Sequence, residues 1–273
     1  YKRQHPGIEN WLVFTWDGVG YGSDSTLWGG EALAGRPGDW RRAASFRPFR
    51  LVGGDKAGRE PWRSAAALAW SVGADSSAMV LKIFKDQKDL QPSRMNPLLQ
   101  MAHQAWRRET GTFETSAVGR LFDAAAAMVL GRLEASFEGQ GPMELEHRAV
   151  AGCEAIPLPL AADGSGLLRS DWAPLVEILT NRQIAPEERA GIFHETMAQA
   201  LVDQALAIRD RQTVDAVGLS GGVFQNRFLT ERVVEKLQAL NIDVRLHRDI
   251  PANDGGLCFG QVIEAAARQN DSL

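Results

Sequence analysis

The sequence predicts an α/β protein, and two observations predict this class. The first is the order of elements at the C-terminal end. A strand, a glycine turn and a helix are followed by a second strand, a loop and a second helix, over residues 214–219, 220–222, 226–240, 244–247, 251–256 and 257–268. Alternation of this kind is typical of an α/β half-domain. The second observation is that residues 11–16 are apolar and rich in strand-forming residues, which predicts a buried strand near the start.

The first part of the chain is predicted to continue that strand into a small group of strands. Glycines punctuate residues 17–25 as a turn, and residues 26–33 form the second strand of a hairpin-like pair. Residues 36–40 contain a proline and a glycine and are predicted as a loop. Residues 46–52 are predicted as a further strand.

The middle of the chain is predicted to be mainly helical. Pro61 suits the first position of a helix, and Thr115 or Ser116 suits the N-cap of another. The clearest helix covers residues 186–209, where apolar residues recur with a period of about 3.6. The other predicted segments are, in order, a helix over 62–72, a connection over 82–95, a helix over 97–108, the capped helix through 122–130, a helix over 142–152 and a loop or strand over 155–168.

Composition and charge limit the classes of function. The 273 residues suit one large domain or two lobes around a cleft. A formal net charge of -4 argues against a nucleic-acid partner, and no apolar run is long enough to span a membrane. The two cysteines, Cys153 and Cys258, form no CxxC pair, and the five histidines form no HxxxH motif. A zinc site or disulfide framework is therefore not expected, and a reducing cytoplasm is the predicted location.

Two glycine-rich segments follow the first two strands. Asp17 opens the first, directly after the strand over 11–16, and an aspartate there can hold a cation or a cation-bound phosphate. The alternative is an acidic hairpin turn. The second segment contains Gly29, Gly30 and Glu31, and paired glycines inside a strand mark either a close ligand approach or a plain bulge. We count these three residues as candidate nucleotide-binding residues.

Two further segments combine glycine with charge. Lys56 and Arg59 lie in a glycine turn and can neutralise phosphoryl or carboxylate oxygens, although a solvated surface turn has the same composition. Gly119 and Asp123 lie four residues apart, on one face of a predicted helix. An exposed backbone at the glycine and a carboxylate at the aspartate can together receive a ribose. The alternative is a capped core helix with a small residue for close packing.

The last candidate segments are two glycine turns that each lead into a helix. Gly221 and Gly222 precede Asn226 in the first turn, and Asp254 lies in the second. Helix N-termini attract anions through their free N–H groups. We expect Asp254 to lie opposite Asp17 across a cleft, where two carboxylates indicate a shared cation. The alternative is two unrelated glycine caps.

Six segments of the chain resemble, in order, successive motifs of the C-terminal part of the HypF carbamoyltransferase family. They are WDGVGYGSDSTLWGGE, GGDKAGREPWR, TSAVGRLFDAAAA, FEGQGPMELE, GLSGGVFQN and PANDGGLCFGQ, and they span nearly the whole chain. The resemblance implies an actin-like, sugar-kinase-like two-lobe ATPase architecture with a ribonuclease H-like motif and an incomplete first lobe. It also implies two domains, with the remainder of the first lobe in residues 1–110 and the second, nucleotide-binding lobe in residues 111–273.

The resemblance further implies the chemistry. A carbamoyl-adenylate, built from carbamoyl phosphate and ATP, passes its carbamoyl group to the C-terminal cysteine of a HypE-like partner during [NiFe]-hydrogenase maturation. The roles that it implies are Asp17 and Asp254 as metal ligands, Gly29, Gly30, Gly221 and Gly222 beside the phosphates, and Gly119, Asp123 and Asn226 beside the nucleoside. On electrostatic grounds we add Lys56 and Arg59, which we expect to stabilise charge on the acyl phosphate.

The sequence also departs from that family. A histidine-rich metal motif that precedes the aspartate segment in the family has no match before Trp11, where His5 stands alone, and the N-terminal domains of the family are absent. We therefore expect either an excised or truncated piece of a longer protein or a degenerate relative, with weak or absent binding of a divalent metal. Two alternatives stay open, namely a catalytically incomplete module that binds the partner, and a NodU-type carbamoyltransferase that acts on a small hydroxyl compound.

Overall fold

A computed structural model describes residues 7–74, 76–84 and 91–270 of the chain, so His5 lies outside the described residues. These residues form a mixed α/β fold around a central sheet, which confirms the predicted class. The strands are β1 (Trp11–Tyr21), β2 (Leu27–Arg36), β3 (Asp39–Phe46), β4 (Phe49–Val52), β5 (Thr112–Thr115), β6 (Leu160–Ala162), β7 (Leu168–Ser170), β8 (Ala216–Ser220) and β9 (Val244–Arg245). The helices are α1 (Trp62–Ser71), α2 (Ser77–Phe84), α3 (Pro92–Arg107), α4 (Val118–Leu130), α5 (Gln140–Arg148), α6 (Ala173–Thr180), α7 (Pro186–Arg209), α8 (Arg227–Ala239) and α9 (Leu257–Asn270).

The strand order places β1 near the centre of the sheet. The main path runs β6-β7-β3-β2-β1-β8-β9, and β5 joins β4 to β2. β1 pairs with β2 antiparallel on one side and with β8 parallel on the other. Strands from both sides of residue 110 thus share one sheet, and the division into two lobes near that residue stays a prediction.

The two faces of β1 have different neighbours. Leu12, Phe14 and Trp16 are fully buried in the main core, together with residues of α4 and α7. Trp11 and Val13 alternate with them and face the other side of the sheet, in a smaller cluster. This second face borders the cleft described below.

β1 is longer than the sequence predicts. The segment over 17–25 was expected to be a turn, but Gly20 pairs with Trp28 and Tyr21 pairs with Leu27, after a register shift that begins at Trp16. An irregularity of this kind re-aims the side chains in the strand. Asp17 therefore lies in a β-bulge and not in the turn.

Proline and local hydrogen bonds account for the other differences. The strand predicted over 46–52 is split, because Pro48 has no N–H for a sheet ladder and separates β3 from β4. The connection predicted over 82–95 was wrong at both ends, since Lys82 lies in α2 and Pro92 opens α3. The N-cap predicted for α4 was also wrong. Ala117 holds that position, and its backbone N–H donates to the Thr115 hydroxyl.

The helix predicted over 186–209 is confirmed at both ends as α7. Its proline occupies the first turn, where a missing N–H costs little. Within the part of the chain that is described, no helix combines the length and the apolar character needed to cross a membrane.

Candidate functional site

An open cleft of about 1400 Å³ lies between the second face of the sheet and α9. Thr15, Asp17, Gly29 and Glu31 line it on the strand side. The opposite wall is formed by the β8 turn, the loop that precedes α9, and α9 itself. The side chain of Glu264 in α9 accepts a hydrogen bond from the Gly38 backbone N–H at 2.9 Å, which ties this helix to the turn between β2 and β3.

Glycines surround the backbone at Asp17. A Cβ atom on Gly29 would lie 2.7 Å from the Asp17 carbonyl oxygen, and one on Gly119 would lie 2.6 Å from the Gly18 Cα. A Cβ atom on Gly221 would overlap the Trp16 carbonyl oxygen. Close approach of protein backbones thus accounts for these three glycines, and the phosphate and nucleoside contacts predicted for them stay predictions.

Gly30 has a similar explanation. A Cβ atom there would overlap the Ser116 carbonyl oxygen, in the segment that leads into α4. The glycine allows β2 to pass close to that segment. Its predicted phosphate contact stays a prediction.

The structure brings Asp17 and Asp254 to the same cleft. The Asp17 Oδ1 accepts a hydrogen bond from the Gly18 N–H at 2.7 Å and lies 3.2 Å from the place of a Cβ on Gly222. The Gly221 N–H donates to the Ala252 carbonyl at 2.6 Å, which holds the loop before Asp254 against the same turn. Both aspartates line the cleft, and Asp254 is exposed.

Glu31 lines the cleft, but its carboxylate is occupied by the protein. Its Oε2 accepts hydrogen bonds from the backbone N–H groups of Gly29 and Gly30, at 2.5 and 2.8 Å. Its Oε1 accepts from Arg42 at 2.9 Å and from the hydroxyls of Ser45 and Ser116 at 3.0 and 2.5 Å. The residue is 1% exposed, and its carboxylate stabilises the backbone at Gly29 and Gly30. This structural role accounts for a glutamate at position 31 without a bound ligand.

Asn226 is also held within the protein. Its Oδ1 accepts a hydrogen bond from the Leu229 N–H at 2.8 Å and so caps α8. Its Nδ2 lies 2.9 Å from Nε2 of His194, whose Nδ1 lies 2.8 Å from the Ala190 carbonyl. The network is complete if His194 carries its proton on Nδ1, donates to Ala190 and accepts from Asn226. The nucleoside contact predicted for Asn226 stays a prediction.

Asn226→Ala is expected to lower the free energy of unfolding by about 2 kcal/mol, because it removes a helix cap and leaves a buried imidazole nitrogen without a donor. Urea unfolding measures this loss. Asn226→Ser is the control, because its hydroxyl restores the cap but does not reach His194, and about half of the stability should return. Equal stability of wild type and Asn226→Ala would contradict the structural role.

The N-terminus of α8 does not offer the anion site that the sequence suggests. The Glu146 carboxylate accepts hydrogen bonds from the backbone N–H groups of Arg227 and Phe228, at 2.7 and 3.2 Å. Together with the Asn226 cap, this satisfies most of the free N–H groups of the first turn. The glycine turn before α8 lies next to the Asp17 carboxylate.

Asp123 is buried beneath Arg120, a residue that the sequence analysis did not single out. Arg120 Nη1 lies 2.9 Å from Asp123 Oδ2, and the Asp123 side chain is 6% exposed. Burial raises the pKa of this carboxyl to about 6, against the opposing effect of the Arg120 charge. The spacing of three residues on one helix was the available signal for this pair.

Lys56 and Arg59 lie outside the lining of the cleft. Both are exposed, on a single turn of 3-10 helix over Gly54–Gly58 and the residue after it. The backbone of that turn meets Arg120 at Gly58, where a Cβ would lie 3.2 Å from Nη1. Arg120 Nη2 lies 3.0 Å from the corresponding point on Gly18, next to Asp17.

Several side chains that can bind a metal line the cleft, among them Asp17, Asp254, His247 and Asp249, but they do not form a cluster. Among the described residues, no group of three histidine, cysteine, aspartate or glutamate side chains is placed to hold a metal ion. Asp17 and Asp254 therefore do not form a complete site for a resident transition metal, which needs more donors than two carboxylates. They do match the one or two carboxylates with which proteins hold the magnesium of a bound nucleotide.

Two buried groups give stability a specific dependence on pH. Burial lowers the pKa of His194 to about 4 from its usual 6.5, so this histidine destabilises the folded state as the pH falls through that range. The pKa of Asp123 rises to about 6 from its usual 3.8, so its contribution is favourable at low pH and is lost as the pH rises. Each contribution is about 3 kcal/mol in size, and between about pH 4 and 6 they oppose each other.

Asp123→Asn is therefore expected to steepen the acid side of the stability profile. Removal of the opposing carboxyl should make the free energy of unfolding fall by roughly 3 kcal/mol more than in wild type between pH 6.5 and pH 4. Urea unfolding across this range measures the slope in both proteins. Parallel profiles would show that Asp123 is ionised in the folded protein throughout the range.

Comparison with known proteins identifies the family of nearly the whole chain. A family model described as "Carbamoyltransferase, Kae1-like Domain, second subdomain" matches residues 13–261. Carbamoyltransferase HypF of Synechocystis sp. is 33% identical over 96% of this chain, which covers 35% of that relative. Carbamoyltransferase HypF of Rhizobium leguminosarum bv. viciae is 35% identical over 93% of this chain and 31% of its own length.

Solved structures match over almost the whole chain. A crystal structure of full-length HypF in a phosphate- and nucleotide-bound form has a TM-score of 0.84 and 29% identity, over 97% of this chain and 34% of that one. The structure of T. kodakarensis HypF has a TM-score of 0.80 and 25% identity, over 96% of this chain and 34% of that one. The neighbours and the family match agree with the predicted actin-like architecture, and the chain spans about a third of the length of these relatives.

Proposed function

Because the chain belongs to the HypF carbamoyltransferase family, in the second subdomain of its Kae1-like domain, we propose that its cleft binds a magnesium-bound adenine nucleotide for carbamoyl transfer. One observation carries this proposal: Asp17 and Asp254, from opposite ends of the chain, line one cleft on either side of a glycine turn. The carboxylates hold the magnesium that the nucleotide brings, and the phosphates lie beside Gly221 and Gly222. The nucleotide-bound form of a solved HypF supports the choice of ligand.

The local charges support a phosphate group at this place only when a cation accompanies it. Asp17 and Asp254 are both acidic, and bare phosphates beside them are repelled. Asp17 and Asp254 would hold a magnesium ion, whose charge would offset this repulsion. The proposal therefore requires magnesium for tight nucleotide binding.

The reacting nucleotide in this proposal is a carbamoyl-adenylate, made from carbamoyl phosphate and ATP. A cysteine thiolate at the C-terminus of a HypE-like partner attacks the carbamoyl carbon. A sulfur–carbon bond forms, the bond from that carbon to the adenylate oxygen breaks, and AMP leaves with the electron pair. Lys56 and Arg59 stabilise the negative charge on the acyl phosphate as this bond breaks. This is the step that belongs to [NiFe]-hydrogenase maturation in the proposal.

The nucleoside in this proposal lies near Gly119, Asp123 and Asn226. Asp123 supports this part because its Oδ2 has no hydrogen-bond partner within the described residues. None of the three residues lines the cleft and this oxygen is buried, so a ribose hydroxyl supplies the missing donor only if the start of α4 opens toward the cleft. Asn226 would have to exchange one of its internal hydrogen bonds for the base.

A second candidate is a module that binds the partner without turnover. The arrangement of possible metal donors favours it, since no group of three histidine, cysteine, aspartate or glutamate side chains among the described residues is placed to hold a metal ion. It predicts that capture of a HypE-like protein survives Asp254→Ala and that no carbamoyl group is transferred. Carbamoyl transfer to the partner cysteine, detected by mass spectrometry, would exclude this candidate.

Titration calorimetry with ATP, with and without magnesium, tests the proposal. Asp254→Ala is expected to weaken binding of magnesium-bound ATP by about tenfold or more, which corresponds to about 1.4 kcal/mol. Without magnesium the variant should bind no more weakly than wild type, because only the cation links the carboxylate to the phosphates. Asp243→Ala is the control, since Asp243 pairs with Arg245 and lies outside the cleft. Absence of binding to wild type would contradict the proposal.

A further inference from the structure

Arg120 joins three segments that each carry a candidate site residue. Its guanidinium pairs with Asp123 on its own helix and occupies the space beside Gly18 at the bulge of β1 and beside Gly58 in the turn over 54–58. The side chain is 14% exposed, so it lies mostly inside the protein. The guanidinium lies between the turn that carries Lys56 and the bulge that carries Asp17.

Glycine at positions 18 and 58 makes this arrangement possible. A Cβ at Gly18 would lie 3.0 Å from Nη2, and one at Gly58 would lie 3.2 Å from Nη1. The two outer nitrogens of the planar guanidinium thus lie beside two different backbone segments, Nη2 beside Gly18 and Nη1 beside Gly58. A guanidinium has this fork geometry, whereas an ammonium has a single nitrogen.

Asp123 fixes the guanidinium in place. The Asp123 Oδ2 lies 2.9 Å from Nη1, but the geometry is that of an ion pair, and neither this oxygen nor Arg120 Nε has a hydrogen-bond partner among the described residues. A purely structural pair at this depth would be expected to satisfy these atoms.

The turn that meets Arg120 is well ordered by its own backbone. The N–H groups of Arg59 and Glu60 donate to the Lys56 carbonyl at 3.0 and 2.8 Å, and Ala57 is buried. The Ala135 N–H donates to the Arg59 carbonyl at 2.8 Å. The turn thus holds its own shape, and Arg120 lies between it and β1.

We propose that Arg120 is a positioning residue that holds the turn carrying Lys56 and Arg59 beside the bulge carrying Asp17. The two cations are thereby kept near the cleft although they do not line it. The consequence for nucleotide binding rests on the proposed function. The structural claim, that Arg120 fixes the turn, does not.

Hydrogen–deuterium exchange of the full 273-residue chain tests the structural claim. In Arg120→Lys the charge opposite Asp123 remains, but one ammonium does not contact both backbones. The Ala135 amide, which donates to the Arg59 carbonyl and so joins the turn to a separate segment, is expected to exchange about tenfold faster than in wild type, with global stability nearly kept. Arg169→Lys is the matched control, because Arg169 pairs with Asp163 at 3.0 Å elsewhere on the sheet. Unchanged exchange in Arg120→Lys would overturn the proposal.

A double-mutant cycle on magnesium-bound ATP tests the functional consequence. Lys56→Ala should weaken binding in wild type and should have little further effect in the Arg120→Lys background, because the lysine is then already misplaced. Additive effects would overturn the link between Arg120 and Lys56, since a merely stabilising arginine predicts additivity. If wild type binds no ATP, the proposed function fails, while the exchange result still decides whether Arg120 fixes the turn.

Discussion

Glu31→Ala is expected to lower the free energy of unfolding by about 3–5 kcal/mol, the range for removal of one partner from a buried ion pair. The carboxylate is 1% exposed and accepts hydrogen bonds from two backbone N–H groups, two hydroxyls and Arg42. All of these donors would be left without this acceptor in the protein interior. Each buried unsatisfied donor costs about 1–3 kcal/mol, and relaxation recovers part of the sum.

Glu144→Ala is the matched control for this prediction. Glu144 also pairs with an arginine, Arg132 at 2.8 Å, but its side chain is 36% exposed. Water replaces the lost contacts there, so the expected loss is at most about 1 kcal/mol. Chemical unfolding of the two variants measures the difference. Similar losses of stability at the two positions would mean that the Glu31 carboxylate is not buried with the hydrogen-bond donors described above.

Gly221→Ala is expected to cost about 3–5 kcal/mol and to abolish nucleotide binding in the cleft. The residue has φ 102° and ψ 161°, a backbone region almost restricted to glycine. In addition, the new Cβ would overlap the Trp16 carbonyl oxygen, which is backbone and does not move aside easily. Strain and overlap together push the glycine turn away from Asp17.

Gly73→Ala separates the two causes. Gly73 has φ 100°, close to that of Gly221, but a Cβ there would meet no atom within 4 Å. The expected cost is about 1–2 kcal/mol, from the backbone conformation alone. The excess loss in Gly221→Ala then measures the overlap with β1. If the two variants lose equal stability, the close approach of the turn to Trp16 is not present in solution.

The fold was largely predictable because hydrophobic period and turn residues act locally. The long helix over 186–209 and the alternation after residue 214 follow from such patterns. The bulge at Asp17 did not follow, because it depends on the register of β1 against β2. The boundary near residue 110 was placed without knowledge that β1 pairs with β8, a contact between residues about 200 positions apart in sequence.

The sequence predicted which residue types lie at the candidate site, but it did not predict the hydrogen bonds that these residues make. Asp17 and Asp254 were identified by residue type beside glycine, and both line the cleft. Glu31 and Asn226 have the same polar character, yet the folded chain uses their oxygens internally. Sequence shows which groups can accept a hydrogen bond, whereas the donor that reaches them is set by tertiary packing.

Arg120 escaped prediction for a related reason. It is one of 30 lysine and arginine residues, most of which are expected at the surface. Arg120 differs from the others because two glycines leave room for its guanidinium. These are Gly18 and Gly58, which lie about 100 and 60 positions away in the sequence. This arrangement exists only in the folded chain, where the bulge of β1, the turn over 54–58 and α4 lie next to one another.

A crystal structure of this chain with magnesium and a non-hydrolysable ATP analogue tests the central claim most directly. The account predicts the metal between the side chains of Asp17 and Asp254, with the phosphates against the turn at Gly221 and Gly222. A nucleotide seated elsewhere on the molecule, or an empty cleft at saturating ligand, would contradict it.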